Sequence, residues 1–178
     1  VRLGNPAFDE IPNPYGRYSG GTPVEDEGMF FGRAALIDRI IKCLSTGNTG
    51  QCFVLYGQKR SGKSSVLKQV EKRLGKSVLF VPMSAGMFSP GNLWSSFARM
   101  LLQELTFRLE DADSEVPENW PSRSDVDARP LETIRDVVRG LKKRGYQIIV
   151  AIDEFTYVFE NAHEDVETFM RGWKALLE

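Results

Sequence analysis

Histidine occurs once in this chain, at position 163, and cysteine only at 43 and 52. With His163 the only histidine, no Cys/His cluster suits zinc, and His163 is expected to be a surface residue. Cys43 falls on an apolar helix pattern and Cys52 opens an apolar run. Two buried free thiols are therefore expected rather than a disulfide, as suits an intracellular protein. Net charge is also nearly absent, 23 Lys and Arg against 24 Asp and Glu giving −1. Nothing global points to nucleic acid or to an anionic membrane. No apolar run approaches the roughly 20 residues of a membrane span. The opening residues, Val1-Arg2-Leu3-Gly4-Asn5, carry no signal-peptide pattern, and the expected compartment is the cytoplasm.

What is present suits one domain with a real core: 178 residues, 42% hydrophobic and 26% charged. Residues 1–28 are rich in Gly, Pro and Asn, and are expected to form an irregular arm ahead of a core at 29–178. Short, nearly unbroken apolar runs at 51–56, 78–81 and 148–152 suit parallel strands buried on both faces. Helical spacing recurs between them. At 33–46 the expected stripe is Ala35, Leu36, Ile40, Cys43 and Leu44. A helix is expected at 63–74, and another at 92–109 with Leu93, Phe97, Leu101 and Leu105 on one face. Residues 131–144 follow Pro130. The last helix, 164–177, carries Val166, Phe169, Met170, Trp173, Leu176 and Leu177. The acidic stretch 110–129, with Pro117, Trp120 and Pro121, reads as a surface loop. Strands alternating with helices make this an α/β layered fold with a parallel sheet. The basic run Lys142-Lys143-Arg144 sits at an expected helix C-terminus, where the macrodipole accounts for it without nucleic acid.

The chemistry is concentrated in two motifs. Gly57-Gln58-Lys59-Arg60-Ser61-Gly62-Lys63-Ser64 satisfies G-x-x-x-x-G-K-[ST], the P-loop or Walker A pattern, and Ser65 follows it. The pattern lies between an expected strand and an expected helix, as it must. Glycines let the backbone wrap closely around phosphate oxygens, and the amides at the helix N-terminus form an anion nest. Lys63 is expected to reach the β- and γ-phosphates, and the Ser64 hydroxyl to ligate Mg2+. Lys59 and Arg60 either add phosphate-attracting charge or are solvated loop residues. The second motif is the apolar run 148–152 ending in Asp153-Glu154, which reads as Walker B. Asp153 is expected to hold magnesium, directly or through water, and Glu154 to polarise the attacking water. A helix-starting acid is the competing reading of Glu154. No Asn-Lys-x-Asp segment is present to read guanine, so ATP is preferred over GTP.

A resemblance runs through these residues. Asn13-Pro14-Tyr15, Pro23, Gly28-Met29-Phe30-Phe31-Gly32-Arg33, Leu55-Tyr56-Gly57-Gln58 and Gly62-Lys63-Ser64-Ser65 together resemble the STAND class of signal-transduction ATPases, relatives of the AAA+ ATPases. The resemblance covers roughly residues 13–178 and implies a three-layer P-loop core. The implied function is an ATP-binding and ATP-hydrolysing switch module in a larger signalling protein. Its implied partners are nucleotide and further domains of the same chain or a second copy. In that family the loop around the Gly-Arg box lies against adenine, which makes Met29, Phe31, Gly32 and Arg33 candidate base contacts, with a core anchor the competing reading of Phe31. The related origin-initiator ATPases share the box, so a DNA-dependent ATPase is an alternative, as is a non-hydrolysing nucleotide-binding scaffold. Family cores also place a sensor strand between the P-loop strand and the Walker B strand, then a fifth strand and a helical lid. This chain ends at Glu178, short of those parts. The expectation is an N-terminal portion of the ATPase core that binds nucleotide but turns it over weakly by itself.

Overall fold

The computed structural model describes residues 13, 16–18, 20–24, 26, 30, 32–45, 50–161 and 165–177. The P-loop helix, α2, spans Lys63–Arg73, preceded by α1 at Ala34–Ser45. Strand β1 (Val78–Ser84) follows, then α3 (Leu93–Asp111), α4 (Arg123–Ala128) and α5 (Pro130–Lys143). Strand β2 (Gln147–Asp153) leads into α6 (Thr156–Asn161) and α7 (Val166–Leu177). The two strands are parallel and in register from Val78 opposite Gln147 to Ser84 opposite Asp153. Parallel strands need a long crossover, which α3, α4 and α5 supply.

Side chains alternate across the strands as the period of two requires. Leu79, Val81 and Met83, with Ile148, Val150 and Ile152, belong to the larger apolar cluster, built largely on α3. Phe80, Ile149 and Ala151 belong to a smaller cluster with α1 and α2. Strand β1, apolar up to its closing Ser84, is therefore covered on both faces, as its sequence suggests. Pro82 stands in the middle of β1; a residue without an amide hydrogen is confined to edge strands, which fits the place of β1 at an edge of the described sheet.

Local signals set the helix ends. Pro130 occupies the first turn of α5, where its missing N–H is not needed. Ser122 and Asp125 form a reciprocal capping box on α4, and the Ser122 hydroxyl and amide hold the Asp125 carboxyl below the usual carboxylate range. Within the larger cluster, Trp94, Phe97, Phe169 and Trp173 meet at ring-centroid separations of 4.8–6.1 Å. Gly172 makes this possible, because a Cβ there would overlap the Trp94 indole.

Several sequence expectations are corrected. Residues 51–56 are not a strand: they pair with no described strand, and Val54 and Tyr56 are 82% and 99% exposed. An apolar run becomes a strand only where a neighbour accepts its backbone hydrogen bonds, and among the described residues the sheet contains β1 and β2 alone. Leu55, packed on the smaller cluster, ties the segment down. The α1 stripe is rotated: Ile37 and Ile40 are buried with Ile41 and Leu44 beside them, while Ala35 and Leu36 are exposed. Met170 is likewise exposed on α7. Residues 110–129 are not a loop throughout, since α3 reaches Asp111, α4 forms, and Trp120 packs against the larger cluster. Cys52 is exposed and Cys43 half-buried, so neither thiol is a core residue. Among the described residues of the arm, Gly16–Tyr18 form a single 3-10 turn. His163, Tyr15, Met29 and Phe31 lie outside the described residues.

Candidate functional site

The phosphate loop keeps its expected shape without a formed strand behind it. The Ser61 amide donates to the Gln58 carbonyl at 3.3 Å, closing a tight turn. Gly62 adopts φ 81°, ψ 23°, and no side chain caps α2. The first turn of α2 thus lacks a side-chain cap, as do helix N-termini that receive phosphate. Arg60 and Glu154 are two of the three described non-glycine residues with positive φ, at 61° and 55°. Such backbone costs about 1–3 kcal/mol per residue and concentrates where function demands it.

Lys63 is half-buried. Its Nζ donates to the carbonyl oxygens of Gly57 (3.1 Å) and Gln58 (2.9 Å), which holds the ammonium across the loop it belongs to. Arg33 Nη2 donates to the Ser61 carbonyl, and a side chain at position 62 would meet the same guanidinium. Arg33 therefore lies on the phosphate loop itself. Gly32 precedes it at φ 83°. Lys59 and Arg60 are exposed.

The two motifs converge although 89 residues separate their key members. Ser64 Oγ donates to Asp153 Oδ2, and Asp153 Oδ1 accepts the Glu154 amide at 2.8 Å. The half-buried Asp153 closes β2, and the exposed Glu154 lies just past its tip. The Glu154 carboxylate accepts a hydrogen bond from the Ser84 hydroxyl at 3.2 Å. Ser84 ends β1 directly opposite Asp153. Ser84 was not singled out by sequence, because a serine ending an apolar run signals nothing until the register of the two strands is known. Val24 and Gln69 also escaped notice, and Ser65, named with the phosphate loop, has a partner the sequence did not foretell: its Oγ accepts the Val24 amide at 2.9 Å, while Gln69 Nε2 donates to the Val24 carbonyl.

Hydroxyl and carboxylate oxygens meeting at the end of a phosphate loop are a hard-oxygen donor set, the kind magnesium takes when phosphates supply further ligands. Among the described residues no cluster of three His, Cys, Asp or Glu could hold a metal alone. A cleft of about 150 Å3 opens at this site, lined by Ser64 and Asp153 together with Pro23, Leu67, Phe80 and Pro82. The larger one, about 370 Å3, lies between Trp120 and α5 and shares no residue with the phosphate loop. Chemistry locates the site better than volume does, because a triphosphate lies along an open backbone loop rather than in an enclosed cavity.

No described helix is long and apolar enough to cross a membrane. No curated protein matches the chain, and no solved structure does. A family model described as AAA ATPase domain matches residues 29–172, which takes in the Gly-Arg box, the phosphate loop and the Asp153-Glu154 pair. The chain therefore belongs to the AAA ATPase domain family, a family of nucleotide-binding ATPases.

Proposed function

We propose that this chain is the ATP-binding, ATP-hydrolysing switch module of a multidomain signalling protein of the STAND type, working in the cytoplasm. The observation that carries the reading is the Ser64–Asp153 hydrogen bond, which brings both nucleotide motifs to one point. The anion nest of residues 57–65 takes the phosphates. Lys63 exchanges the Gly57 and Gln58 carbonyls for phosphate oxygens. Ser64 and Asp153 would hold Mg2+, which would supply positive charge against the phosphates. Glu154, oriented by Ser84, accepts the proton of the attacking water. Gly32 and Arg33 adjoin the loop, and with Met29 and Phe31 are assigned to the base side on the family resemblance.

The metal assignment has a direct test. In calorimetric titrations, ATP should bind wild type more tightly with Mg2+ than with a chelator. Asp153→Asn should lose about tenfold of that gain, roughly 1.4 kcal/mol, and match wild type without metal. An undiminished magnesium gain in the variant would remove Asp153 from the site.

The reading also includes a three-layer core whose sheet is wider than two strands. Residues 51–56 are apolar yet exposed, β2 is half-buried along its whole length, and Pro82 fits β1 to an edge. A further parallel strand between β2 and 51–56 would satisfy both. Further chain or a second copy would supply it, and a close approach supports the first: the backbone carbonyl of Leu177, closing α7, lies against Gly50, which has φ 86° and no room for a Cβ. Chain continuing from α7 thus starts beside the entrance to 51–56. Amide exchange in 51–56 is expected to slow at least about 100-fold in a chain carrying that continuation, the mark of hydrogen bonds drawn into a stable sheet. Unchanged exchange would leave 51–56 as a loop.

A further inference from the structure

Four buried polar side chains stand among the described residues: Ser65, Gln69, Ser95 and Ser96. Ser96 serves the entry to α3, accepting the Ser89 amide at 3.1 Å. Ser65 and Gln69 lie one helical turn apart on α2, and both bond one residue of the arm. Ser65 Oγ accepts the Val24 amide at 2.9 Å, and Gln69 Nε2 donates to the Val24 carbonyl at 3.3 Å. Gln69 is 0% exposed. Burying a primary amide on a helix face is unfavourable unless its polar atoms are matched, so packing alone would favour an apolar residue there. Pro23, whose ring restricts the backbone ahead of Val24, sits over the cleft formed by Leu67, Phe80 and Pro82.

We propose that residues 20–24 form a strap whose docking on α2 is coupled to nucleotide binding, each strengthening the other. The coupling rests on the ATP-binding reading above. Ser65 is the third residue of α2, within the turn whose amides face the anion. A serine hydroxyl that accepts one hydrogen bond keeps its own hydrogen to donate. With phosphate in the loop, the Val24 amide, the Ser65 hydroxyl and the anion form a chain in which each bond polarises the next. Gln69 holds the same strap one turn further along the helix. Coupling between two binding events is reciprocal, so a docked strap raises ATP affinity and bound ATP holds the strap down.

The experiment combines hydrogen exchange at the Val24 amide with ATP titration, on the full chain. Saturating Mg-ATP should slow Val24 exchange about tenfold or more in wild type. Gln69→Leu, which keeps the volume and loses the donor, should bind ATP about fivefold to tenfold more weakly, at the low end of measured couplings. Gly172→Ala, which crowds Trp94 far from the strap, should lower the melting temperature and keep wild-type ATP affinity; this separates loss of coupling from general destabilisation. Should Gln69→Leu fail to fold, Val24→Pro removes the strap's amide while leaving α2 intact, with the same expected loss. Wild-type affinity in a folded Gln69→Leu or Val24→Pro protein, or Val24 exchange indifferent to ATP, would overturn the coupling alone. Absence of ATP binding by wild type would overturn the nucleotide reading and the coupling with it.

Discussion

Glu154→Gln is expected to keep Mg-ATP affinity and to slow hydrolysis by about 10²–10⁴, the usual contribution of a positioned general base. The geometry makes this substitution clean. Glu154 stands at the tip of β2 with φ 55°, and its carboxylate is held by the Ser84 hydroxyl at 3.2 Å. An amide of the same shape still accepts from Ser84 through its oxygen but cannot take a proton from water. In the proposed reading, phosphate binding uses the loop amides, Lys63 and Ser64, which the change does not touch. Single-turnover hydrolysis at saturating Mg-ATP in the full-length protein is the measurement, with binding followed separately. A variant as fast as wild type would reduce Glu154 to an acid ahead of α6. Tight binding with no turnover by wild type itself would make the module a scaffold whose shape ATP sets.

For Lys63→Ala the expected result is a loss of about 100-fold in Mg-ATP affinity, of the order of one charge-assisted hydrogen bond at up to about 3 kcal/mol. The fold should survive. The ammonium now rests on the carbonyl oxygens of Gly57 and Gln58, both in an exposed loop where water can replace it. Lys63 opens α2, and alanine is the better helix former. The variant should therefore melt where wild type melts without nucleotide, and lose most of the upward shift that ATP produces in wild type. Equal affinities by calorimetry would remove the phosphate loop from the binding site. A lowered melting temperature without nucleotide would show instead that Lys63 supports the loop.

Much of the site was legible because its motifs are local. The G-x-x-x-x-G-K-[ST] pattern carries its own conformational logic, and Gly62 takes the left-handed backbone that a turn into a helix N-terminus requires. Long periodic helices read well too: all four members of the Leu93, Phe97, Leu101, Leu105 stripe are buried. Shorter segments read less well. In α1 the polar residues Asp38, Arg39 and Lys42 share one face and set Ile37, Ile40, Ile41 and Leu44 opposite them, so the buried stripe was legible at helical spacing and the expected one, with Ala35 and Leu36, was misread. Helix α4 has six residues and little periodicity to detect, although its Ser122-x-x-Asp125 cap was written in the sequence. The run 51–56 misled for another reason: apolar content reports what a segment can bury, not whether a partner strand is there to receive it.

The sequence by itself determined the phosphate loop, the identities of its lysine and its hydroxyl, the acidic pair after an apolar run, and most helices. These depend on residues within a few positions of one another, where backbone preference and side-chain spacing act directly. Tertiary structure alone decided that β2 lies against β1 in the register that sets Ser84 beside Asp153, and therefore which side chain orients Glu154. It alone brought Ser64 to Asp153 and Val24 to Ser65 and Gln69. Strand register and helix docking are set by the sum of many weak apolar contacts between distant segments, and no short stretch of sequence contains that sum.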